Sequence, residues 1–180
     1  LGVRCILGVE PGAFATDVET TVRLGHAALE GASRARVLMA LGPLPGSEAG
    51  EDEVRAGLLA PYAALAAETD VLQAGSASLR AFDEHAPLCL SRRVVQGVLR
   101  GELKMGGLIA ASLPEDASAE AALNAGVDLI LQPKDALAVI DILEAAVLAK
   151  RLTESVLDRA LRRLLVAKER LGLFAERTTE

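Results

Sequence analysis

The chain has 180 residues, enough for one domain with a sizeable core. A net charge of −6 argues against nucleic acid and anionic membrane surfaces, both of which call for basic patches. No apolar run approaches the ~18 residues of a membrane span. Hydrophobic residues make up 51% but aromatics only 2%, with no Trp and one Tyr, so there are few rings to stack on sugar faces.

Cys5 and Cys89 are too few for a disulfide framework and lack metal-ligand spacing. Both are expected as small core residues in a reducing, cytoplasmic compartment. No cofactor or metal is expected. The chain lacks an initiator Met and starts inside a strand-like run, so it is expected to be a piece of something longer, and the missing leader carries no weight.

In chain order, 3–9 reads as a strand followed by the Pro11-Gly12 turn signal. Asp17 caps a predicted helix to about 32, with Val18, Val22, Leu24, Ala28 and Leu29 as its apolar stripe. A second strand is expected at 36–41, then an exposed Gly- and Pro-rich loop. A helix over 54–68, broken or restarted near Pro61, leads to a weaker strand at 70–75.

From Ser91 the pattern turns helical, with Val94, Val95, Val98, Leu99 and Leu103 on one face. Gly106-Gly107 stops the helix. Residues 108–111 are uninterrupted apolar, as in a parallel strand covered on both faces, and Ser112 follows at the carboxyl end. A short helix over 117–124 ends at Gly126, and a fifth strand is expected at 127–132. A helix over 135–149 is followed by one capped by Thr153 and closed by Gly172, with Val156, Ala160, Leu161, Leu164, Ala167 and Leu171 on one face. Residues 175–180 form a polar tail beyond a single unit over 1–174.

Strand and helix alternate five times. The fold class is therefore α/β, with about five parallel strands and outer helices. Five strands cannot close an eight-stranded barrel, which leaves two open edges and an uncovered inner face.

The stretch S-R-R-V-V-Q-G-V-L-R-G-E-L-K-M-G-G-L-I-A-A-S resembles a segment of family 3 glycoside hydrolases, L-S-x-x-V-V-x-x-L-L-R-x-E-L-G-F-x-G-L-V-V-T-D. A-L-N-A-G-V-D-L-I-L-Q-P is similar to the family's A-L-x-A-G-x-D-x-x-L-x-P, and R-L-T-E-S-V-L-D-R-A-L-R-R-L-L-V-A-K-E-R-L-G-L-F to its closing helix. The resemblance implies the later part of a (β/α)8 barrel like that of bacterial β-N-acetylhexosaminidases. In such barrels chemistry sits at the carboxyl ends of the strands.

The functional motifs depart from the family. Its nucleophilic Asp aligns with Ser112, which is expected to be a non-functional replacement. Its K-H-F-P-G resembles residues 42–46, so Gly42 and Pro43 stand where Lys and His hold sugar hydroxyls, and neither offers a side-chain donor. Its R-S-F resembles Gly12-Ala13-Phe14, and its Asp-His acid/base loop falls on Ser47, Glu48, Glu51 and Asp52, without a His.

A retaining glycosidase needs a nucleophile about 5 Å from an acid/base group. Among the expected strand ends Glu10, Gly42, Gly75, Ser112 and Gln132, only Glu10 is a carboxylate. Glu115 and Asp116 read as a solvated turn and helix cap; Glu48, Glu51 and Asp52 as the acidic start of a helix; Arg162, Arg163 and Lys168 as a solvated face. A serine mechanism would need a base, for which His85 is nearer to hand than His26.

Three functional readings are open, two from the resemblance and one from the open sheet edge and barrel mouth. The chain is expected to be a barrel domain that has lost glycosyl hydrolysis; the alternatives are an active glycosidase using carboxylates outside this segment, and a scaffold that holds a protein. Expected partners are the missing N-terminal part of the barrel or a self-associating copy, with carbohydrate possible.

Overall fold

The computed structural model describes residues 5–9, by their backbone, and 17–174. The expectations for Glu10, Ala13, Phe14, the Cys5 side chain and the polar tail lie outside the described residues.

Asp17 caps the first helix, α1 (Val18–Arg34), accepting from Thr20 N at 2.7 Å. The helix ends where Arg36 turns left-handed (φ 53°) and Val37 N bonds back to Ala32 O at 2.9 Å. That reversal delays the next strand, which runs over Leu38–Leu44 rather than the expected 36–41 and takes in Gly42 and Pro43. Proline cannot donate to a ladder, and the register to the following strand slips between Leu41 and Leu44. The next helix, α2, continues unbroken over 51–65 despite Pro61. Its Val54–Leu59 stretch is π-wound, which displaces the hydrogen-bond ladder just ahead of the residue that could not join it.

Five strands form one parallel sheet in chain order: β1 (Cys5–Val9), β2 (Leu38–Leu44), β3 (Val71–Ala74), β4 (Leu108–Ala111) and β5 (Leu129–Ile130). The remaining helices are α3 (Arg93–Glu102), α4 (Ala119–Ala125), α5 (Ala136–Leu148) and α6 (Glu154–Arg170). The chain is α/β, arranged as an incomplete (β/α)8 barrel. β5 is shorter than the expected 127–132, and Gln132 leaves it in a left-handed turn (φ 48°). α4 ends at Gly126 (φ 112°) as the sequence suggests, but starts after Ser118, whose side chain caps it, and not at the expected 117. Thr153 stands at the start of α6, but its hydroxyl meets Ser155 Oγ at 3.1 Å and not a helix amide.

One face of the sheet carries the main core. Leu41, Leu72, Ile109 and Ala111 lie under Leu29 of α1, Leu65 of α2, and Val94, Val98 and Leu99 of α3. Each fully buried Leu or Ile contributes about 1.5–3 kcal/mol.

The other face is not bare. The sequence suggests helices on one side only, with the last helix beside its predecessor. α6 does begin there, where Val156 and Leu157 join Ala146 and Leu152. It then crosses the opposite face, setting Leu164, Ala167 and Leu171 against Leu38, Val71, Leu108 and Leu129. These four residues open β2, β3, β4 and β5, so α6 closes the amino-terminal end of the half-barrel.

Two ion pairs hold it there. Arg170 donates to Asp70, just ahead of β3, at 2.8 Å. Arg163 donates to Asp128 Oδ1, just ahead of β5, at 2.8 Å. Asp128 also receives Arg100 of α3 and Ile109 N (2.8 Å), and its side chain is only 2% exposed. Arg163, expected on a solvated face, is therefore half-buried and paired; the partner lies 35 residues away, beyond any local pattern.

Replacing Asp128 by Ala strands two guanidiniums and is expected to cost about 3–5 kcal/mol. Replacing the more exposed Asp70 is expected to cost about 1 kcal/mol or less. Urea denaturation of the two variants checks this ordering; equal losses would contradict it.

Candidate active site at the carboxyl ends of the strands

The mouth of the half-barrel is formed by the segments that follow β2, β3, β4 and β5. The first two are zipped together: Ser47 N donates to Ser78 O at 3.0 Å and Arg80 N to Ser47 O at 3.2 Å. Their approach leaves no room for side chains. A Cβ on Gly46 would fall 2.6 Å from Ala77 Cβ, and one on Gly75 2.2 Å from Leu44 O. The turn after Gly75 folds back through Leu88 N to Ala77 O (2.9 Å) and Cys89 N to Gly75 O (3.1 Å).

Ser91 then caps the central helix, its Oγ accepting from Val94 N (3.2 Å) while donating to Asp83 Oδ2 (2.7 Å). Asp83 Oδ1 also receives the amides of His85 and Ala86. The Ser91 hydroxyl above all, and then these amides, hold the Asp83 carboxyl below the usual carboxylate range.

Ser112 follows the last residue of β4, partly buried, and the alternation of the strand puts it on the face of Leu108 and Ala110. No hydrogen bond joins it to another side chain among the described residues. Gly42 is buried and Pro43 partly buried within β2. Pro43 also lines a hollow of about 350 Å³ with Leu44, Pro45, Leu58, Tyr62 and Gly75, in which no carboxylate, Lys, Arg or His takes part. Tyr62 OH reaches Pro43 O at 3.5 Å.

The other candidates are dispersed. Glu115 pairs with Lys134, and Asp116 is exposed. Glu51 pairs with Arg55, which also meets Glu102 and lies over the Phe82 ring at 5.0 Å. Glu48 pairs with Arg80 at 3.0 Å. His85 is exposed on the turn after β3, its backbone amide on Asp83. His26 meets Glu68 at 2.9 Å, and Glu68 precedes β3, so this pair lies at the end away from the mouth. The structure brings none of these groups to Ser112.

The model of the Glycosyl hydrolase family 3 N terminal domain matches residues 7–167. The chain belongs to this family. Among solved structures it is similar to a family 3 β-N-acetylglucosaminidase from Paenibacillus sp. str. FPU-7, with 26% identity and a TM-score of 0.80 over 95% of this chain and 39% of that one. A β-N-acetylhexosaminidase from Beutenbergia cavernae DSM 12333 gives 20% identity and a TM-score of 0.76, covering 93% of this chain and 63% of that one. The β-N-acetylglucosaminidase from Thermotoga maritima gives 18% and 0.75, with coverage of 90% and 40%. The chain thus spans less than two thirds of the length of these proteins. No curated protein matches it. Among the described residues no helix is long and apolar enough to cross a membrane.

The sequence readings also missed two further side-chain pairings of this family 3 segment. The Asp83–Ser91 pair had a local signal, a Ser at a helix start with an acid eight residues before it. The Arg55–Glu102 pair, 47 residues apart, had none.

Two outcomes are expected at the mouth. Gly75→Ala lowers stability by about 1–3 kcal/mol through its clash with Leu44 O. The Asp83 contribution is present above its unfolded pKa of about 4 and is lost as pH falls through the lowered folded value. The stability gap between wild type and Asp83→Asn in urea therefore narrows from pH 7 to pH 3; a constant gap would refute the pairing.

Proposed function

We propose that this segment of a family 3 barrel does not hydrolyse glycosides by itself, with Ser112 at the position of the family's nucleophile and Gly42 and Pro43 at its sugar-binding Lys-His. The observation that carries this reading is the make-up of the mouth. Among the described residues, no carboxylate directly follows a strand there, and the nearest acid after β4, Glu115, is engaged by Lys134. Retaining hydrolysis asks a carboxylate to attack the anomeric carbon while an acid protonates the leaving oxygen. A serine hydroxyl is uncharged at neutral pH and needs a base within hydrogen-bond reach. The absence of any such bond to Ser112 supports its being inert.

The losses fall on separate steps. Positioned acid/base help contributes about 10²–10⁴ in rate, and charge-assisted contacts from a Lys-His pair about 1.5–3 kcal/mol each. Ser112→Asp alone is therefore expected to restore little. The likeness to β-N-acetylglucosaminidases makes an aryl N-acetylglucosaminide the substrate to try. Wild type and Ser112→Asp are both expected to leave it uncleaved. Turnover by wild type that Ser112→Ala abolishes would overturn the reading, and turnover lost on changing Glu115 or Asp116 would move the nucleophile there.

The same reading has the barrel completed from outside this chain, by its remaining strands or by a second copy. No strand among the described residues pairs with the outer edge of β1 or β5. Helix α5 is apolar nearly all round, yet Leu137 and Leu148 are 73% and 77% exposed. Sedimentation of the isolated chain is expected to show association; a cooperative monomer would contradict it.

A further inference from the structure

We propose that a hollow at the amino-terminal end of the strands is an anion site, suited to the dianion of a phosphate monoester or to inorganic phosphate. The hollow holds about 300 Å³ and is lined by Arg100, Arg159, Arg163, Asp128, Gln96 and Val156, among others. It lies away from the mouth, since Asp128 precedes β5 whereas Ser112 follows β4.

The charges in it do not balance. Three guanidiniums face one carboxylate, and that carboxylate is already filled. Asp128 Oδ1 takes Arg163 Nη1 at 2.8 Å, and Oδ2 takes Arg100 and Ile109 N. Arg100 spends its other terminal nitrogen on the carbonyls of Met105 and Gly107. Arg159 lies one turn before Arg163 on α6 and has no ion pair or hydrogen bond among the described residues. Guanidiniums at this spacing repel each other.

Burial, reinforced by the charge of Arg163, brings the Arg100 guanidinium down to about 10 against the pull of Asp128. Arg100 and Arg163 are thus partly desolvated, and exposed Arg159 adds an unpaired charge at the rim, so an anion held among them is worth more than in bulk water. Arg159 and the remaining donors of Arg163 supply planar forks that match phosphate oxygens in pairs. In a chain of net charge −6, the hollow is a local positive island.

The test is calorimetric titration of the full chain with inorganic phosphate at low salt and neutral pH. Saturable binding at one site is expected, with a rise in melting temperature in phosphate. Arg159→Ala, at an exposed position outside the Asp128 network, is expected to weaken binding about tenfold or more while melting as wild type does without phosphate. Arg162→Ala, outside this hollow, is expected to bind as wild type does. Absence of saturable phosphate binding by wild type, or equal affinity in Arg159→Ala, would overturn the proposal.

Discussion

A parallel sheet has two apolar faces, and each must be covered. Here the connections between strands cover one face as they are made, whereas the other depends on a helix that arrives last. Asp128 makes that arrival specific. At 2% exposure, its charge would cost several kcal/mol unpaired. It is matched only when α6 brings Arg163 across the strand ends and α3 brings Arg100 from the far side. The carboxylate adds little net stability over a well-packed apolar group, yet it penalises any placement of α6 that leaves it alone. The small residues Ala160 and Ala167 then let the helix approach closely.

Periodicity read along the chain identified the strands and helices because each is an uninterrupted local pattern. It could show that α6 has one apolar face, through Val156, Ala160, Leu164, Ala167 and Leu171, but not which surface that face meets. Leu161, assigned to the same stripe, is 52% exposed. The errors at strand ends have a similar origin. Gly42 and Pro43 look like loop residues because proline lacks a donor. They nonetheless belong to β2, because the ladder to β3 tolerates an irregularity there. Arg36 and Gln132 adopt left-handed turns without being glycine, which residue type does not announce.

The candidate site was legible to a lesser degree, and for a physical reason. Sequence alignment to a motif locates a position such as Ser112 along a strand, and the strand geometry then puts it at the mouth. Whether a base or an acid stands beside it depends on loops whose side chains are free to pair elsewhere. Glu48, Glu51 and Glu115 all do so, with Arg80, Arg55 and Lys134. Their pairing is local to the surface, and among the described residues it brings no charge to Ser112. The reading of Glu48, Glu51 and Glu115 as solvated surface groups is in keeping with these pairings.

The two ends of the half-barrel accordingly carry different kinds of information. The three stretches that resemble the family most closely contain Arg100, Asp128 and Arg163, and the structure brings these three into one network at the amino-terminal end. That end governs how strands and last helix assemble. Gly42, Pro43 and Ser112, the positions on which the proposed loss of hydrolysis rests, lie at the carboxyl end instead. Among the described residues no hydrogen bond or ion pair links Ser112 to the Asp128 network. The same independence means that a substitution of Ser112 need not disturb that network, so a change of chemistry at this position and a change of assembly are separable.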